Sequence, residues 1–364
     1  MPKSALRILH VTPYYFSEQS VIGGGERYVN NVCAAVRIAS QDPETRSDVL
    51  SFGSSAQTMA MGSASVLNIL PASADHLMSC AGAAFDKLID DYDVVHIHQC
   101  LLPFGFFVAA RARMAGKVVI GTDHGGGESP LLEMFPVVGG MFDCFHAQSQ
   151  FAAAAFTQMK TPVEVIRGPV DDLAFPIDFR LRDPDKIVAV GRILPHKGFE
   201  EAIDALPSGR QLTIIGRKYD NRYFDFLQGR TGGKNVVFET TLDDAAVKAR
   251  IGGAGLFVHT GLHRSYDGNF HAKPELLALT PLEAMCCGTP AVVSRAGALP
   301  ELVFLDGCRV YSDRDDLAQL MGGFRSGAGA PDPAEINADV VAKYGLKQFG
   351  LAYLNLIERL IAGS

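Results

Sequence analysis

The sequence predicts an α/β protein built from two Rossmann-like, doubly wound domains, each a parallel sheet covered by helices. Three observations support this prediction. The chain has 364 residues, which is a length typical of about two domains. Short apolar segments alternate with helical patterns in both halves, as expected for parallel sheets with helices on both faces. Residues 167–186 carry spaced prolines without clean periodicity, which indicates a linker between the halves.

The first half contains short apolar runs that favour buried strands and longer amphipathic runs that favour helices. Residues 1–170 are therefore expected to form the N-terminal domain. The predicted strands cover residues 6–11, 48–51, 66–70, 94–98, 118–122, 144–147 and 163–166. The predicted helices cover residues 26–38, 75–89 and 150–159.

The second half repeats this alternation, and residues 171–345 are expected to form the C-terminal domain. The chain ends with an amphipathic pattern at residues 345–362, and we expect the terminal segment 346–364 to be a helix that returns to the N-terminal domain. The predicted strands cover residues 186–190, 212–215, 236–238, 256–258, 291–293 and 309–311. The predicted helices cover residues 200–206, 242–251 and 315–321.

Composition excludes several classes of protein. The chain is 48% apolar and 20% charged, which is typical of a soluble globular protein. It has no apolar run of about 18 residues, so no spanning helix is expected. The net charge of −7 argues against nucleic acid as the main partner. The seven cysteines show no C-x-x-C spacing, which predicts reduced thiols, a cytoplasmic location and no zinc site.

Residues 274–293 carry two glutamates, Glu275 and Glu283, before a short apolar strand. Thr280 followed by Pro281 is typical of a helix start, with Thr280 as the N-cap residue. Glu283 lies three residues after Thr280, so it can complete a capping box. Gly288 can adopt the left-handed conformation that ends a helix. Glu283 therefore has a purely structural interpretation, whereas Glu275 is either a solvated loop carboxylate or a ligand-binding group.

Two segments have the composition of anion-binding sites. Arg192 and Lys197 follow the first predicted strand of the second domain, where cations can neutralise a diphosphate. The alternative is an ordinary solvated pair. In the first domain, Gly23 and Gly24 belong to a glycine-rich turn before a helix, whose amide groups can approach an anion. A plain flexible loop is the alternative there, and the dinucleotide fingerprint G-x-G-x-x-G is absent.

Three histidines of the first domain are candidates for function. His124 follows a predicted strand beside glycines, which indicates a position at the ligand-binding edge of the sheet, although a lone histidine is more often structural. His96 and His98 alternate on one strand, so both can face the same side. They form a plausible metal-ligand pair. Because no third ligand is spaced to complete the site, we favour a structural role and predict no metal.

These motifs resemble the family 4 glycosyltransferases, which are retaining enzymes with the GT-B fold of two Rossmann-like domains facing a cleft. The resemblance extends over nearly the whole chain, and its most specific part is the E-x7-E motif filled by Glu275 and Glu283. Residues 191–198 are similar to the family's G-R-x-x-x-x-K-G segment, and residues 23–26 to its G-G-x-E loop. Residues 93–98 resemble its D-V-V-H-x-H strand, and His124 resembles its cleft histidine.

The resemblance implies a role for each matching residue of the second domain. Arg192 and Lys197 would bind the diphosphate of a UDP-, GDP- or ADP-sugar donor. Glu283 would accept hydrogen bonds from the ribose, and Glu275 would hold hydroxyls of the donor sugar. A further implied contact is made by the amide groups of the helix start at Leu279 and Thr280, which would face the phosphates.

The resemblance also assigns roles in the first domain. His124 would lie beside the transferred sugar, and Gly23 and Gly24 would line the cleft on the acceptor side. No cofactor and no metal are implied, because cations and a helix dipole stabilise the departing phosphate. The chain departs from the family pattern at Ala278, where the family usually has glycine, and in the longer segment 259–274. That segment is either a lid or sugar pocket, or a surface excursion.

The acceptor is not identified by the sequence, and a glycan, a lipid-linked molecule and a small molecule all stay open. Residues 101–117 combine an apolar half with Arg111, Arg113 and Lys117, a pattern that suits a membrane-surface helix. A helix buried against the sheet would look similar and is favoured, so contact with the inner face of the membrane stays an alternative. Two other functions are considered: another GT-B enzyme, such as an epimerase or phosphorylase, and a non-catalytic nucleotide-sugar-binding protein. The oligomeric state is not predicted.

Overall fold

A computed structural model describes nine stretches of the chain. They are residues 5–13, 24–53, 55–61, 65–71, 83–125, 136–177, 182–303, 305–323 and 332–363. The chain divides into two compact units, described separately here. The first combines residues 1–169 with the terminal segment 346–364, and the second comprises residues 170–345.

The first unit is built on eight strands, seven of them parallel, and on five α-helices in its described part. The strands are β1 (Arg7–Val11), β2 (Arg46–Gly53), β3 (Gln57–Met61), β4 (Ser65–Pro71), β5 (Val94–His98), β6 (Val118–Thr122), β7 (Cys144–Ala147) and β8 (Val163–Val165). The helices are α1 (Gly24–Ala39), α2 (Ala83–Ile89), α3 (Pro103–Met114), α4 (Gln150–Ala153) and the last helix of the chain, α11 (Leu346–Gly363).

The sheet of the first unit has the order β3-β4-β2-β1-β5-β6-β7-β8, with only the edge strand β3 antiparallel. The order reverses between β1 and β5, which is the switch point where ligands bind in open α/β sheets. Strands β5 and β6 are buried along their whole length, as expected for central parallel strands, and β5 carries His96 and His98 among its valines and isoleucine.

The terminal helix α11 packs on α1 within the first unit. Its backbone comes so close to α1 that a Cβ at Gly350 would overlap the carbonyl oxygen of Ala35. This close approach carries Tyr353, which is fully buried, onto the histidines of the sheet. The last helix therefore contributes a side chain to the polar interior of the first unit.

The second unit is a six-stranded, wholly parallel sheet with helices between the strands. Its order, β11-β10-β9-β12-β13-β14, is that of a Rossmann fold counted from β9, and it reverses between β9 and β12. The strands are β9 (Asp183–Val190), β10 (Gln211–Ile215), β11 (Val236–Glu239), β12 (Ala254–His259), β13 (Ala291–Val293) and β14 (Cys308–Val310). The helices are α5 (Phe199–Ala205), α6 (Asn221–Arg230), α7 (Asp244–Gly252), α8 (Leu279–Cys286), α9 (Arg314–Gly323) and α10 (Pro333–Tyr344).

The fold class predicted from the sequence is confirmed, with differences in detail. Residues 57–61 and the helices α6 and α10 were not expected. The helix predicted over 75–89 is described only from Ala83 to Ile89, and residues 75–82 lie outside the described part. The helix predicted over 150–159 ends at Ala153 and continues as a short 3-10 turn. None of the helices in the described stretches is both long and apolar enough to span a membrane.

Candidate active site

Arg192 stands at the carboxyl end of β9, beside the switch point of the second sheet. Its side chain is exposed, and its guanidinium carbon lies 5.7 Å from the ring centroid of Tyr219. Within the described part of the chain it makes no ion pair with a carboxylate. A guanidinium held at a strand end without an anionic partner can bind an anionic ligand as a planar fork.

Lys197 lies in a short turn, Pro195–Lys197, that is followed by Gly198. Replacing this glycine by any other residue would require the neighbouring backbone to move. Gly198 has φ +60°, and a Cβ there would overlap the carbonyl oxygen of Thr260. Thr260 in turn donates its hydroxyl to the carbonyl of Lys197 at 3.0 Å. The loops that follow β9 and β12 are thereby joined at the switch point.

The ammonium group of Lys197 forms an ion pair with Oε1 of Glu275, and both side chains are largely buried. His259, the last residue of β12, lies with its Nε2 3.2 Å from the same oxygen. Burial alone would raise the pKa of the Glu275 carboxyl, but Lys197 and then His259 outweigh it and hold that pKa well below its ordinary value. The carboxylate is therefore ionised and paired in the ligand-free protein.

His196 precedes Lys197 and stays neutral. Burial, together with the neighbouring Lys197 ammonium, lowers the pKa of His196 to about 4. Its ring lies 5.1 Å from that of His271, measured between ring centroids. His196 therefore adds no charge to those of Arg192 and Lys197.

The helix α8 starts earlier than the sequence predicted. It begins at Leu279, and its N-cap residue is Ala278, which has φ +60° and makes no side-chain capping bond. Thr280 lies inside the first turn, so its predicted role as the N-cap, and the capping box built on it, are wrong. The helix begins early because the chain enters it through the left-handed conformation of Ala278 rather than through an extended Thr280.

Glu283 lies in α8 and is 4% exposed. The predicted end of the helix is confirmed, since Gly288 has φ +75° directly after the C-cap residue Cys287. The guanidinium group of Arg182 donates to the carbonyl oxygens of Gly288 and Cys287 at 2.7 and 2.9 Å. These bonds satisfy carbonyl groups that the helix leaves unpaired at its end.

The segment 259–274 is folded against the second unit. Arg264 pairs with Phe270 in an isolated antiparallel bridge, which closes a turn whose side-chain bonds involve Ser265 and Asp267. Tyr266 stacks on Phe226 of α6 with 4.4 Å between the ring centroids. The segment is thus held by bonds within its own turn and by stacking on α6.

In the first unit, His124 follows β6 and is half-buried. Both of its ring nitrogens face protein groups: Nδ1 lies 2.6 Å from Nε2 of Gln148, and Nε2 lies 2.9 Å from Nδ1 of His98. The Gln148 amide nitrogen also donates to the carbonyl of Asp123 at 3.3 Å, so Nδ1 of His124 accepts and Nε2 carries the proton. Burial lowers the pKa of His124 to about 3.

Further histidines continue this arrangement beneath His124. Nε2 of His98 lies 3.1 Å from Nδ1 of His10, whose Nε2 lies 2.9 Å from the hydroxyl of Ser47. His96 bonds to Tyr353 at 2.7 Å and to Thr122 at 2.8 Å. The five histidines His10, His96, His98, His124 and His146, with Tyr353, Thr122, Ser47 and Gln148, are called the histidine network below.

The expectation that no third ligand accompanies His96 and His98 is wrong. His10, on the neighbouring strand β1, pairs with His96 in register, and the ligand atoms of the three residues lie within 4.8 Å of one another. The sequence could not show this, because the strand order decides which histidines become neighbours. The ring nitrogens of all three already have hydrogen-bond partners within the protein, so the network is complete as a neutral hydrogen-bonded structure.

The glycine-rich turn is described only in part. Gly23 lies outside the described residues, and Gly24 is the exposed first residue of α1. An ideal Cβ at Gly25 would lie 3.6 Å from the Cβ of His124, so the start of α1 is close to that histidine. The sequence analysis missed two residues that contact predicted site residues. His259, which contacts Glu275, was noted only as the start of the segment 259–274, and Gln148, which contacts His124, follows β7.

Comparison with known proteins agrees with this architecture. Residues 175–321 match the model of the family described as Glycosyl transferases group 1. A glycogen synthase of Mycobacterium tuberculosis is 27% identical over 353 residues, an alignment covering 85% of this chain and 75% of the relative. The lipopolysaccharide core biosynthesis mannosyltransferase LpsB of Rhizobium meliloti is 31% identical over 129 residues, covering 33% of this chain and 35% of the relative.

Solved structures share the fold across the whole chain. The Anabaena protein HepE, in complex with UDP and glucose, has a TM-score of 0.73 and 16% identity, covering 97% of this chain and 100% of that chain. The catalytic domain of starch synthase IV from Arabidopsis thaliana, bound to ADP and acarbose, has a TM-score of 0.66 and 11% identity, covering 99% of this chain and 100% of that one. The chain therefore has the GT-B fold, and its residues 175–321 are similar to the group 1 glycosyltransferases.

Proposed function

We propose that this protein is a retaining glycosyltransferase that moves a sugar from a UDP-, GDP- or ADP-sugar to a glycan, a lipid-linked molecule or a small-molecule acceptor. The observation that carries the proposal is the group of charges at the switch point of the second sheet. There Arg192 is exposed and has no anionic partner among the described residues, and Lys197 is paired with the buried carboxylate of Glu275. A diphosphate and a sugar hydroxyl are the complementary ligands for such a group.

In this proposal Arg192 and Lys197 bind the diphosphate. The amide groups at the start of α8, near Leu279 and Thr280, add a positive helix end for the same phosphates. Glu283 accepts hydrogen bonds from two ribose hydroxyls, for which its carboxylate has enough acceptor sites.

Glu275 accepts bonds from hydroxyls of the donor sugar through the oxygen that faces away from Lys197. His124 lies beside the transferred sugar, and Gly23 and Gly24 line the acceptor side. These two assignments follow the family resemblance.

The reaction keeps the anomeric configuration and needs no metal or other cofactor. The acceptor oxygen attacks the face from which the phosphate departs, and the charge that develops on the phosphate is stabilised by Arg192, Lys197 and the helix start. We expect the activity in the cytoplasm, with the inner face of the membrane as the place for a lipid-linked acceptor.

The test is a donor screen followed by product analysis. Release of nucleoside diphosphate from UDP-glucose, GDP-mannose and ADP-glucose is measured with and without excess EDTA, and the product's anomeric proton coupling is read by NMR. An α-linked donor should give an α-linked product at the same rate in EDTA. An inverted coupling constant would contradict retention. Loss of activity in EDTA that Mg²⁺ or Mn²⁺ restores would contradict metal independence, and interconversion of free nucleotide sugars would identify an epimerase.

A further inference from the structure

We infer that His259 is a positioning residue for the donor sugar: it holds Glu275 in place when Lys197 turns to the diphosphate. The inference rests on the proposed function of the switch point and adds a residue that neither the family motifs nor the sequence analysis assigned. It follows from three features of the second unit: the bonds of His259, the different partners of the two Glu275 oxygens, and the greater length and flexibility of the Lys197 side chain compared with that of His259.

The hydrogen bonds of His259 define its tautomer. Its Nδ1 accepts a hydrogen bond from the backbone amide of Gly261 at 3.3 Å, so in the neutral ring the proton is on Nε2. Nε2 lies 3.2 Å from Oε1 of Glu275, and the N–H group therefore donates to the carboxylate. The imidazole is 5% exposed, and the backbone carbonyl of His259 accepts from the amide of Ser294 at 3.0 Å. The ring is held by the strand end on one side and by the turn at Gly261 on the other.

The two oxygens of Glu275 have different environments. Oε1 is bonded by both Lys197 and His259, whereas within the described part of the chain Oε2 has no hydrogen-bond partner. An ideal Cβ at Gly261 would lie 3.4 Å from Cγ of Glu275 and 3.2 Å from Cε1 of His259, so the turn leaves little spare room around both groups. The carboxylate is thus fixed through one oxygen and presents the other.

Donor binding affects the two groups on Oε1 differently. The ammonium of Lys197 is a point charge on a flexible stem, and a diphosphate offers it more negative charge than a single carboxylate does. The imidazole of His259 cannot follow, because it is short and is held at the end of β12. When Lys197 moves to the phosphates, His259 is left as the donor that keeps Oε1 fixed and Oε2 directed at the sugar.

This assignment predicts a separation between two affinities. Loss of the His259 bond should weaken binding of the sugar-bearing donor, which needs an oriented Glu275, and should leave binding of the free nucleoside diphosphate nearly intact. A residue that only supports the fold would weaken both ligands together. The relevant quantity is the ratio of Kd for a nucleoside diphosphate to Kd for its sugar nucleotide, called the sugar increment below.

The experiment measures the sugar increment by calorimetry for the full chain, with the pairs UDP and UDP-glucose, GDP and GDP-mannose, and ADP and ADP-glucose. For the pair that the wild type binds, His259→Leu should reduce the sugar increment about tenfold, the scale of a charge-assisted hydrogen bond. Its Kd for the free diphosphate should change less than about threefold on the same reasoning. His259→Gln, which keeps an N–H donor, should recover most of the increment.

His271→Gln is the matched control, because His271 lies in the same segment and bonds to Ser265 at 3.1 Å instead of to Glu275. It should leave the sugar increment unchanged. An unchanged increment in His259→Leu would overturn the inference, as would equal weakening of both ligands. If His259→Leu does not fold, an Nδ1–H tautomer of neutral His259 in the ¹⁵N spectrum of the wild type overturns it, because Nε2 would then have no proton to donate to Glu275. Failure of the wild type to bind any of the pairs instead contradicts the proposed function itself.

Discussion

The two switch points of this molecule occupy the same place in two similar sheets and contain opposite chemistry. In the first unit, the strands β1 and β5 carry His10, His96 and His98, which are neutral and bonded to one another or to neighbouring hydroxyl groups. In the second unit, the ends of β9 and β12 lead to Arg192 and to the ion pair of Lys197 with Glu275. The topology provides an edge in both cases, and the side chains decide what that edge can bind.

The two sites differ in whether their polar groups are satisfied by partners within the protein. In the histidine network, both nitrogens of each imidazole are hydrogen-bonded to protein groups, as buried polar groups require. In the second unit, among the described residues, Arg192 has no anionic partner and one oxygen of Glu275 accepts no hydrogen bond. A cation without a partner at a sheet edge is available to a phosphate-bearing ligand.

The largest expected difference between the two units is their loss of stability at acidic pH. The pKa is lowered to about 3 for His10 and His124 and to about 4 for His146, mainly by burial. The unfolded chain takes up protons near pH 6.5 and the native state does not, so the free energy of unfolding falls as the pH drops below 6.5. Each of these histidines should cost up to about 1.4 kcal/mol per pH unit, or about 4 kcal/mol for the three.

Glu275 loses its contribution at a lower pH than the histidines do. Its pKa is depressed, so its stabilising contribution is complete above the ordinary carboxyl pKa and is lost only as the pH falls below about 4.3. Hydrogen exchange of peptides from β5 and β12, corrected for intrinsic rates between pH 7 and 4.5, compares the two units. We expect β5 to lose protection first. Loss of protection in β12 before β5 would break the comparison.

Removing Lys197 should show how much the ion pair of the second unit contributes to stability. Lys197→Met leaves the buried Glu275 carboxylate without its cation, and we expect a loss of about 3 kcal/mol in the free energy of unfolding, the scale for breaking a buried pair. Arg192→Met should stay within about 0.5 kcal/mol of the wild type, because Arg192 is exposed. Both should weaken binding of a nucleoside diphosphate by about 1.5–3 kcal/mol.

Urea unfolding and calorimetry measure the two effects separately. The double variant Lys197→Met with Glu275→Gln removes the uncompensated charge and should regain most of the lost stability. Equal urea midpoints for Lys197→Met and the wild type would show that the ion pair contributes nothing to the fold.

Glu283→Gln tests whether the buried carboxylate of α8 binds ligand. Two ribose hydroxyls need the acceptors of an ionised group, and an amide offers one acceptor oxygen fewer. We expect a loss of about tenfold or more in kcat/KM for the donor, equivalent to about 1.4 kcal/mol, with a nearly unchanged Tm. Wild-type kinetics in this variant would leave Glu283 with a structural role only.

The smallest effect is expected at Ala278. A residue other than glycine at φ +60° is strained by about 1–2 kcal/mol, and part of the gain on changing it to glycine is offset by the entropy of the unfolded chain. Ala278→Gly should therefore raise the free energy of unfolding by about 0.5–1 kcal/mol. Ala298 is the matched control, since it is buried at φ −80°, and Ala298→Gly should lower stability. A destabilised Ala278→Gly would show that the strain is compensated locally.

Local sequence patterns predicted the central strands well, since β5, β6 and β7 have the predicted bounds. They are short and buried, and their runs of valine, isoleucine and phenylalanine are informative even though β5 and β7 also carry histidines. The edge strand Gln57–Met61 was missed because it lacks that composition. The start of α8 was misplaced because Thr280-Pro281 is a strong capping pattern, whereas the chain enters the helix through a left-handed Ala278 that no local pattern announces.

The site was predictable as far as single motifs reach. The ion pair of Lys197 with Glu275 joins two segments that each matched a motif, although the pairing itself requires the fold. The bond of His259 to Glu275 and the position of His10 beside His96 depend on strand order and register, which one sequence does not display. In both places the tertiary structure adds chemistry to residues that the sequence had already singled out.

One measurement addresses both sides of the comparison in the same sample. The chain has ten histidines, and a long-range ¹H–¹⁵N spectrum reports the tautomer of each imidazole. On saturation with the nucleoside diphosphate that the protein binds, the signals of His196 and His259 should shift, because Lys197 leaves Glu275. Those of His10, His96 and His98 should stay unchanged, both then and after addition of ZnCl₂. Shifts confined to these three histidines, with His196 and His259 unmoved, would contradict the assignment of the ligand site to the second unit.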